Sequence, residues 1–274
     1  MFPSDLIRDR CRTFVGRTRE ATDTLAPEAA RKLAVLRGAP EPGPSLPPTW
    51  HWIYFTAGIP EADLNDDLHE KTGRFLPPAP YQRRMWAGGD VAVHAPLRIG
   101  VPATRRSEVT SVEFKDGRSG SMCFVTVRHR IAQGGRDCIE EIQTIVYRDR
   151  GRTEKPLRQP DDPIPDGHFV HPDSRLFFYS SVTHNGHRIH WDRAYCRDVE
   201  GYPDLVVHGP LMATELCDAM RGDRLTGRFA YRAEAPVFTS SPVRIEPGTP
   251  GEVQDGRIVR SDGVTSMSAS LTAV

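Results

Sequence analysis

Runs in which apolar and polar residues alternate dominate the middle of the chain. Alternation over residues 120–131 and 137–148, separated by a Gly-Gly pair, is typical of a long antiparallel hairpin with one buried face. Residues 91–97 and 103–115 carry similar runs rich in β-branched side chains and predict two more strands. Much of the first half is therefore expected to form an antiparallel sheet.

Other segments predict helices and further strands. Residues 1–38 and 209–220 carry apolar residues at helical spacing and are expected to be helical. The aromatic run 49–55 predicts a short strand, and the glycines within 84–90 predict a tight turn. Strands are also predicted over 228–236, 243–246, 252–259 and 264–274.

The order of these elements occurs twice, each time as a helix-bearing segment followed by several long strands. A polar, proline-rich segment over residues 151–168 separates the two series and is typical of a linker. We therefore predict an α+β protein with an N-terminal domain over 1–150 and a C-terminal domain over 169–274.

Composition excludes several classes of partner. Lys and Arg together number 36 and are balanced by 36 Asp and Glu, so no overall basic field attracts nucleic acid. No apolar run approaches the roughly 18 residues needed to span a membrane. The five cysteines are widely spaced without a CxxC pair, which opposes a disulfide framework. We expect a cytoplasmic protein that binds neither nucleic acid nor membrane.

Candidate chemistry is concentrated between residues 179 and 216. His184, His187 and His190 stand at three-residue intervals, which on one helix would place them as zinc ligands. Asn185-Gly186 favours a turn instead, and no HExxH motif accompanies the histidines. From the spacing alone, histidines hydrogen-bonded in a loop and histidines acting in acid–base catalysis both remain open, and a metal is the weakest option.

A second element of the stretch is the helix predicted from Gly209. The start of a helix directs free backbone N–H groups and the positive end of the dipole at a ligand. Such a position can stabilise the negative oxygen of a thioester enolate. Gly209 follows His208 and, lacking a side chain, would let a ligand approach the backbone closely.

Residues 179–216 resemble the hydratase/dehydratase branch of the hot-dog fold, the MaoC-like and type 2 hydroxyacyl-thioester dehydratase enzymes. The family pattern has an Asp five residues before a catalytic His; His190 matches the histidine, and Asn185 stands in place of the Asp. The run Arg84-Met85-Trp86-Ala87-Gly88-Gly89 is similar to the degenerate first hot-dog of two-domain members, above all the hydratases for mesaconyl-C4-CoA and itaconyl-CoA. The resemblance implies a double hot-dog fold, with two antiparallel sheets each wrapped around a central helix.

The resemblance also implies an activity. A hydro-lyase would add water to a short branched dicarboxylyl-CoA, such as itaconyl-CoA or mesaconyl-C4-CoA, giving citramalyl-CoA without a cofactor or metal. His190 would be the general base or acid, Asn185 would orient the water, and the N–H of Gly209 would polarise the thioester carbonyl. Because an amide is not a base, His190 would carry both proton-transfer roles through one water.

Further substrate contacts are expected from His208, Trp86 and Gly89. Arg84 and Arg188 are the candidates for binding a distal carboxylate, since arginine offers a bidentate partner. A long apolar tunnel would instead favour a fatty-acid or polyketide 3-hydroxyacyl-thioester dehydratase. A non-catalytic acyl-CoA-binding protein and a zinc hydrolase are the remaining alternatives. Two hot-dog halves in one chain mimic a dimer, so a monomer or a homodimer is expected.

Overall fold

The computed structural model describes residues 3–56, 58–117, 120–149 and 162–273. The N-terminal half begins with helix α1, strand β1 and helix α2, followed by two short 3-10 turns and four long strands. In order these are α1 (Asp5–Arg12), β1 (Thr18–Thr24), α2 (Pro27–Arg37), the turns Trp50–Ile53 and Glu61–Asp63, β2 (Arg83–Val93), β3 (Pro102–Gly117), β4 (Gly120–Gln133) and β5 (Arg136–Arg148).

The C-terminal half follows the same plan with shorter strands. Its elements are α3 (Asp173–Val182), a 3-10 turn (Arg188–His190), a π-helical turn (Tyr195–Glu200), α4 (Gly209–Arg221), β6 (Gly227–Ala233), β7 (Val243–Glu246), β8 (Val253–Arg260) and β9 (Thr265–Thr272). The helix predicted from Gly209 and the four strands predicted after it are confirmed.

Within the described residues the strands form one antiparallel sheet of nine strands, in the order β1-β3-β4-β5-β2-β6-β9-β8-β7. Strand β2 links the sheets of the two halves. It pairs with β5 of the N-terminal half along one edge and with β6 of the C-terminal half along the other. The predicted double hot-dog fold is confirmed with one correction: the two expected sheets are joined edge to edge between β2 and β6.

Helix α4 is the central helix around which the C-terminal strands wrap. It packs against β2 and against β6 to β9, and eight of its residues are buried, which accounts for its apolar composition. Pro210 falls in its first turn, where the missing N–H costs nothing. In the N-terminal half, α2 packs beside α3 and the 50–53 turn, while α1 packs on β3.

Three local predictions were wrong. Residues 18–24 form β1 rather than helix; its side chains are mostly exposed, so no apolar alternation marked it. Residues 50–53 form a 3-10 turn with three buried side chains instead of a strand. The predicted turn over 84–90 lies within β2, where the pairing with β5 shifts between Trp86 and Gly88. Gly88 lets the backbone of β6 pack closely against β2. A Cβ at this position would lie 2.6 Å from a carbonyl oxygen of β6.

Of the predicted linker, 151–168, residues 151–161 lie outside the described residues. On either side of it the halves share one apolar core, which joins side chains of α2 and β2 to those of α3, α4 and β6 to β9. The division at 150 and 169 therefore stays a prediction. None of the helices in the described ranges has the length and hydropathy to cross a bilayer.

Candidate active site

A cavity of about 1540 Å³ opens between the start of α4 and the inner face of the N-terminal strands. Asn185, His187, His190 and Gly209 line it from the C-terminal half, and Trp86 lines it from β2. The structure therefore brings together the central residues of the predicted site, and both halves of the chain contribute to the walls.

His190 ends the 3-10 turn Arg188–His190 and is 6% exposed. Its Nδ1 lies 2.7 Å from the carbonyl oxygen of Val206. Because a carbonyl only accepts hydrogen bonds, Nδ1 carries the proton and Nε2 keeps its lone pair. Burial lowers the pKa of His190 to about 4. At neutral pH the side chain is thus an uncharged imidazole that can take a proton through Nε2.

His208 lies behind His190 rather than in the cavity wall. The two rings stack with centroids 3.6 Å apart, and His208 Nε2 lies 2.8 Å from the hydroxyl of Ser180. Burial lowers the pKa of His208 well below its ordinary value. The predicted substrate contact through this fully buried side chain is therefore replaced by packing that fixes the plane of His190.

Asn185 occupies a tight turn that presents it to the cavity. Its backbone N–H donates to Ser180, and its Oδ1 accepts the backbone N–H of His187 at 3.1 Å. The side-chain oxygen thus stabilises the turn, while the Nδ2 group is the donor that remains for a ligand. His184, the first of the three spaced histidines, has a positive φ of 50°.

Gly209 begins α4, and among the described residues no side chain caps the helix start. A Cβ on Gly209 would lie 2.6 Å from the ring of Trp86, so the aromatic ring, and not a ligand, makes the close approach expected there. Trp86 in turn stacks on Tyr231 with ring centroids 4.5 Å apart. The first N–H groups of α4 therefore sit beside a fixed aromatic wall, where a thioester oxygen can be bound.

The three remaining predicted substrate contacts, Arg84, Gly89 and Arg188, lie in different places in the structure. Arg84 lines the cavity, and no ion pair joins its side chain to any part of the chain that the structure describes. Gly89 instead lines a separate surface depression beneath β6, where a Cβ would collide with the hydroxyl of Tyr231. Arg188 forms an ion pair with Asp192 at 2.7 Å and does not line the cavity. Arg84 is the better placed of the two arginine candidates.

Sequence reasoning missed Asp67 and His69, which lie in the loop before β2. His69 lines the cavity, and its ring centroid is 4.0 Å from that of His187. The ligand atoms of Asp67, His69 and His187 all lie within 4.8 Å of one another. These three residues could hold a metal ion. Of the three histidines whose spacing suggested a zinc site, only His187 is among them. No local motif marks Asp67 and His69, because the chain fold alone brings them to His187.

The cavity wall formed by β3 to β5 is polar. The carboxylate of Glu141 accepts hydrogen bonds from the rings of His51 at 2.9 Å and Trp52 at 3.0 Å. These donors, with the charge of nearby histidines, lower the pKa of Glu141 to about 2 against the opposing effect of burial. Arg105 and His129 line the same wall. An acyl chain lying along this wall would contact charged and polar side chains.

The fold is that of the hot-dog class, and within it the chain groups with the hydratases and dehydratases. Residues 49–239 match the family model described as hydroxyacyl-thioester dehydratase type 2, and the chain belongs to that family. The predicted family and the prediction of a hydro-lyase are confirmed. Over 270 residues the chain is 42% identical to mesaconyl-C(4)-CoA hydratase of Chloroflexus aurantiacus, covering 94% of this chain and 96% of that relative.

Solved structures agree on the fold. HtdX of Mycobacterium tuberculosis superimposes with a TM-score of 0.69 at 14% sequence identity, over 94% of this chain and 100% of the other. A MaoC-like dehydratase from Phytophthora capsici gives a TM-score of 0.66 at 14% identity, over 97% of each chain. These similarities support the double hot-dog architecture.

Proposed function

We propose that the protein is an acyl-CoA hydratase for a short branched dicarboxylyl-CoA, such as mesaconyl-C4-CoA or itaconyl-CoA, and forms citramalyl-CoA. The observation that carries this proposal is that four features line one cavity: a neutral His190, Asn185, the start of α4, and Arg84, which forms no ion pair with any residue that the structure describes. Similarity to a mesaconyl-C(4)-CoA hydratase supports the substrate class.

In the hydration direction, Nε2 of His190 removes a proton from water while the water oxygen bonds to Cβ of the enoyl thioester. The electrons of the double bond move through Cα to the thioester oxygen. The N–H of Gly209 and the positive end of α4 stabilise that oxygen as its charge grows. His190 then returns the proton to Cα, so atoms and charge balance without a cofactor. Asn185 donates through Nδ2 to the water oxygen and orients its attack.

Arg84 is the proposed partner of the distal carboxylate. Its positive charge reaches the neighbouring histidines, since it contributes to lowering the pKa of both His69 and His187. A carboxylate attached next to the reacting carbon would lie close to this histidine group. The polar wall that includes Arg105 and His129 disfavours the fatty-acid or polyketide alternative, because a long alkyl chain lying against it would shield these polar groups from water.

We further propose that one chain already forms a complete site, because both halves supply walls of the cavity. A monomer or a homodimer built from such chains follows, with 1–150 and 169–274 as the two domains. The five cysteines are all buried and unpaired, which supports a reducing compartment such as the cytoplasm.

A substrate panel tests the proposed function. Purified protein is mixed with mesaconyl-C4-CoA, itaconyl-CoA and crotonyl-CoA, and loss of the enoyl-thioester absorbance is followed. We expect turnover of at least one dicarboxylyl substrate at a higher kcat/KM than crotonyl-CoA. We expect His190→Ala to lower kcat by about a hundredfold, as for a lost acid–base group. Good turnover of crotonyl-CoA alone contradicts the substrate class, and an active His190→Ala contradicts the mechanism.

A further inference from the structure

Asp67 holds His69 in one orientation. The carboxylate accepts the backbone N–H of His69 at 3.0 Å and faces its Nδ1 at 3.1 Å. Since a carboxylate only accepts hydrogen bonds, Nδ1 carries the proton and Nε2 of His69 is left with a lone pair. Burial and the charge of Arg84 lower the pKa of His69, so at neutral pH Nε2 is an acceptor.

The loop that carries this pair is docked on the loop that carries the catalytic histidine. The backbone N–H of Arg188 donates to the carbonyl of Asp67 at 3.2 Å. A Cβ on Gly186 would lie 3.3 Å from the side chain of Leu68, which shows how closely the two loops approach. One main-chain hydrogen bond and this close contact therefore hold the loop of His69 against the loop of His190.

His69, His187 and His190 form one wall of the cavity. The ring centroid of His187 lies 4.0 Å from that of His69 and 5.4 Å from that of His190. All three line the cavity beside Asn185. The wall thus presents more than one neutral imidazole to a water bound at Asn185.

The proposed mechanism leaves one hydrogen of that water without an acceptor. One hydrogen goes to Nε2 of His190, and the water oxygen accepts from Nδ2 of Asn185. The oxygen of Asn185 is engaged by the N–H of His187, whereas a carboxylate at this position would have offered a second acceptor oxygen. An unpaired O–H in a buried site weakens binding and leaves the water free to rotate.

We propose that His69, oriented by Asp67, accepts this second hydrogen and supplies the acceptor that Asn185 lacks. The inference rests on the proposed hydration reaction. His69 keeps no proton: the hydrogen stays on the oxygen and becomes the hydrogen of the product hydroxyl, while the other proton passes through His190 to Cα. The hydrogen bond to His69 raises the electron density on the attacking oxygen and aims its free lone pair at Cβ. Asp67 acts as a positioning residue that fixes the tautomer.

The same three groups, Asp67, His69 and His187, have the spacing of a metal site. Two observations favour hydrogen bonding instead. Both oxygens of Asp67 already face N–H groups of His69, and the positive charge of Arg84 acts on His69 and His187, which opposes a further cation. Metal binding is therefore an outcome that the experiment must detect.

The test compares His69→Ala and His69→Gln with the exposed control His94→Ala, using the substrate that wild type turns over best. We expect His69→Ala to lower kcat about a hundredfold with KM within about threefold, because the lost contact is to the water. His69→Gln places an amide oxygen near the position of Nε2 and is expected to recover at least about tenfold of that loss. Circular dichroism and thermal melting confirm that each variant folds.

A second pair of variants tests Asp67. Asp67→Asn removes the charge that raises the pKa of His69, so we expect the acid limb of the kcat profile to move to lower pH and kcat to fall. Asp66→Asn, on the exposed neighbour, should leave both unchanged. A shift of the acid limb indicates that Asp67 acts through His69. A merely structural role of Asp67 would lower kcat without moving the acid limb.

The outcomes that overturn the inference are distinct from those that overturn the proposed function. His69→Ala within about threefold of wild type, with His190→Ala inactive, removes His69 from the mechanism and leaves the hydratase intact. Equal losses in His69→Ala and His69→Gln contradict an acceptor role. Loss of wild-type activity on chelation, restored by Zn²⁺, replaces the hydrogen bond by a metal. No turnover of any enoyl-CoA by wild type sinks the proposed function itself.

Discussion

The imidazole rings of His190 and His208 stack almost parallel, with planes 18° apart and centroids separated by 3.6 Å. Of the two, only His190 lines the cavity, and His208 is hydrogen-bonded to the hydroxyl of Ser180. A buried histidine outside the cavity lining thus packs against the ring that we propose transfers the proton. Mutation of His208 tests the effect of the stacking without removing His190.

His208→Ala removes the stacked ring and should let His190 tilt. We expect kcat to fall by about 10- to 100-fold, since small misplacements of a catalytic group have effects of that size, while KM stays near the wild-type value. Steady-state kinetics with thermal melting checks this. Ser180→Ala is the milder companion, because it removes only the hydrogen bond at Nε2 and should lower kcat less. Full activity in folded His208→Ala would show that the stacking is incidental.

Gly209→Ala tests the contact between the start of α4 and Trp86. The added Cβ would lie 2.6 Å from the aromatic ring, so we expect a loss of stability of about 1–3 kcal/mol from overpacking and a lower kcat. Urea denaturation and steady-state kinetics measure the two effects. Combining Gly209→Ala with Trp86→Leu should cost less than the sum of the single changes, because the smaller side chain relieves the clash. Strict additivity would contradict the contact.

The lowered pKa of His190 makes stability depend on pH. An unfolded histidine titrates near 6.5, whereas His190 in the folded chain titrates at about 4. Between these values the unfolded chain binds more protons, so stability is full above about pH 6.5 and is lost as pH falls toward 4. His69, His187 and His208 have lowered pKa values and add in the same direction.

Urea midpoints between pH 4.5 and 7.5 measure this loss. His190→Asn, which cannot titrate, should show a shallower fall than wild type over the same range. The exposed control His94→Ala should follow the wild-type curve. A wild-type midpoint that is flat from pH 7.5 to 4.5 is inconsistent with a neutral, buried His190.

Arg84→Met should change substrate selectivity more than general activity. Losing a charge-assisted pair with the distal carboxylate is expected to lower kcat/KM for the dicarboxylyl substrate by about 10- to 100-fold, and crotonyl-CoA should be little affected. Arg106→Met, on the exposed face of β3, is the matched control. Equal losses for both substrates would assign Arg84 to the structure of the site instead.

Much of the fold was predictable because β3, β4 and β5 alternate apolar and polar residues over long runs. Strand β1 was not, since its side chains are mostly exposed, and β2 was mistaken for a turn because Gly88 and Gly89 serve close packing on β6. In these cases tertiary contacts, which local patterns do not record, decide the structure.

The candidate site likewise contains residues that the sequence predicted and residues that it did not. His190, Asn185 and Gly209 were identified by motif and lie together, since they belong to one short stretch of chain. Asp67 and His69 were missed, because only the docking of one loop on another brings them to His187. Arg188 is held outside the cavity lining by an ion pair with Asp192, a hydrogen bond to the carbonyl of Asp66 and stacking on the ring of Tyr195, none of which the sequence pattern marks.

Strand β2 is paired on both sides, with β5 and with β6. Separation of the halves would leave β6 with a row of unpaired backbone groups, which invites aggregation, and would strip His190 of the wall that carries Trp86 and His69. We therefore expect a fragment of the C-terminal half alone to aggregate and to lack activity.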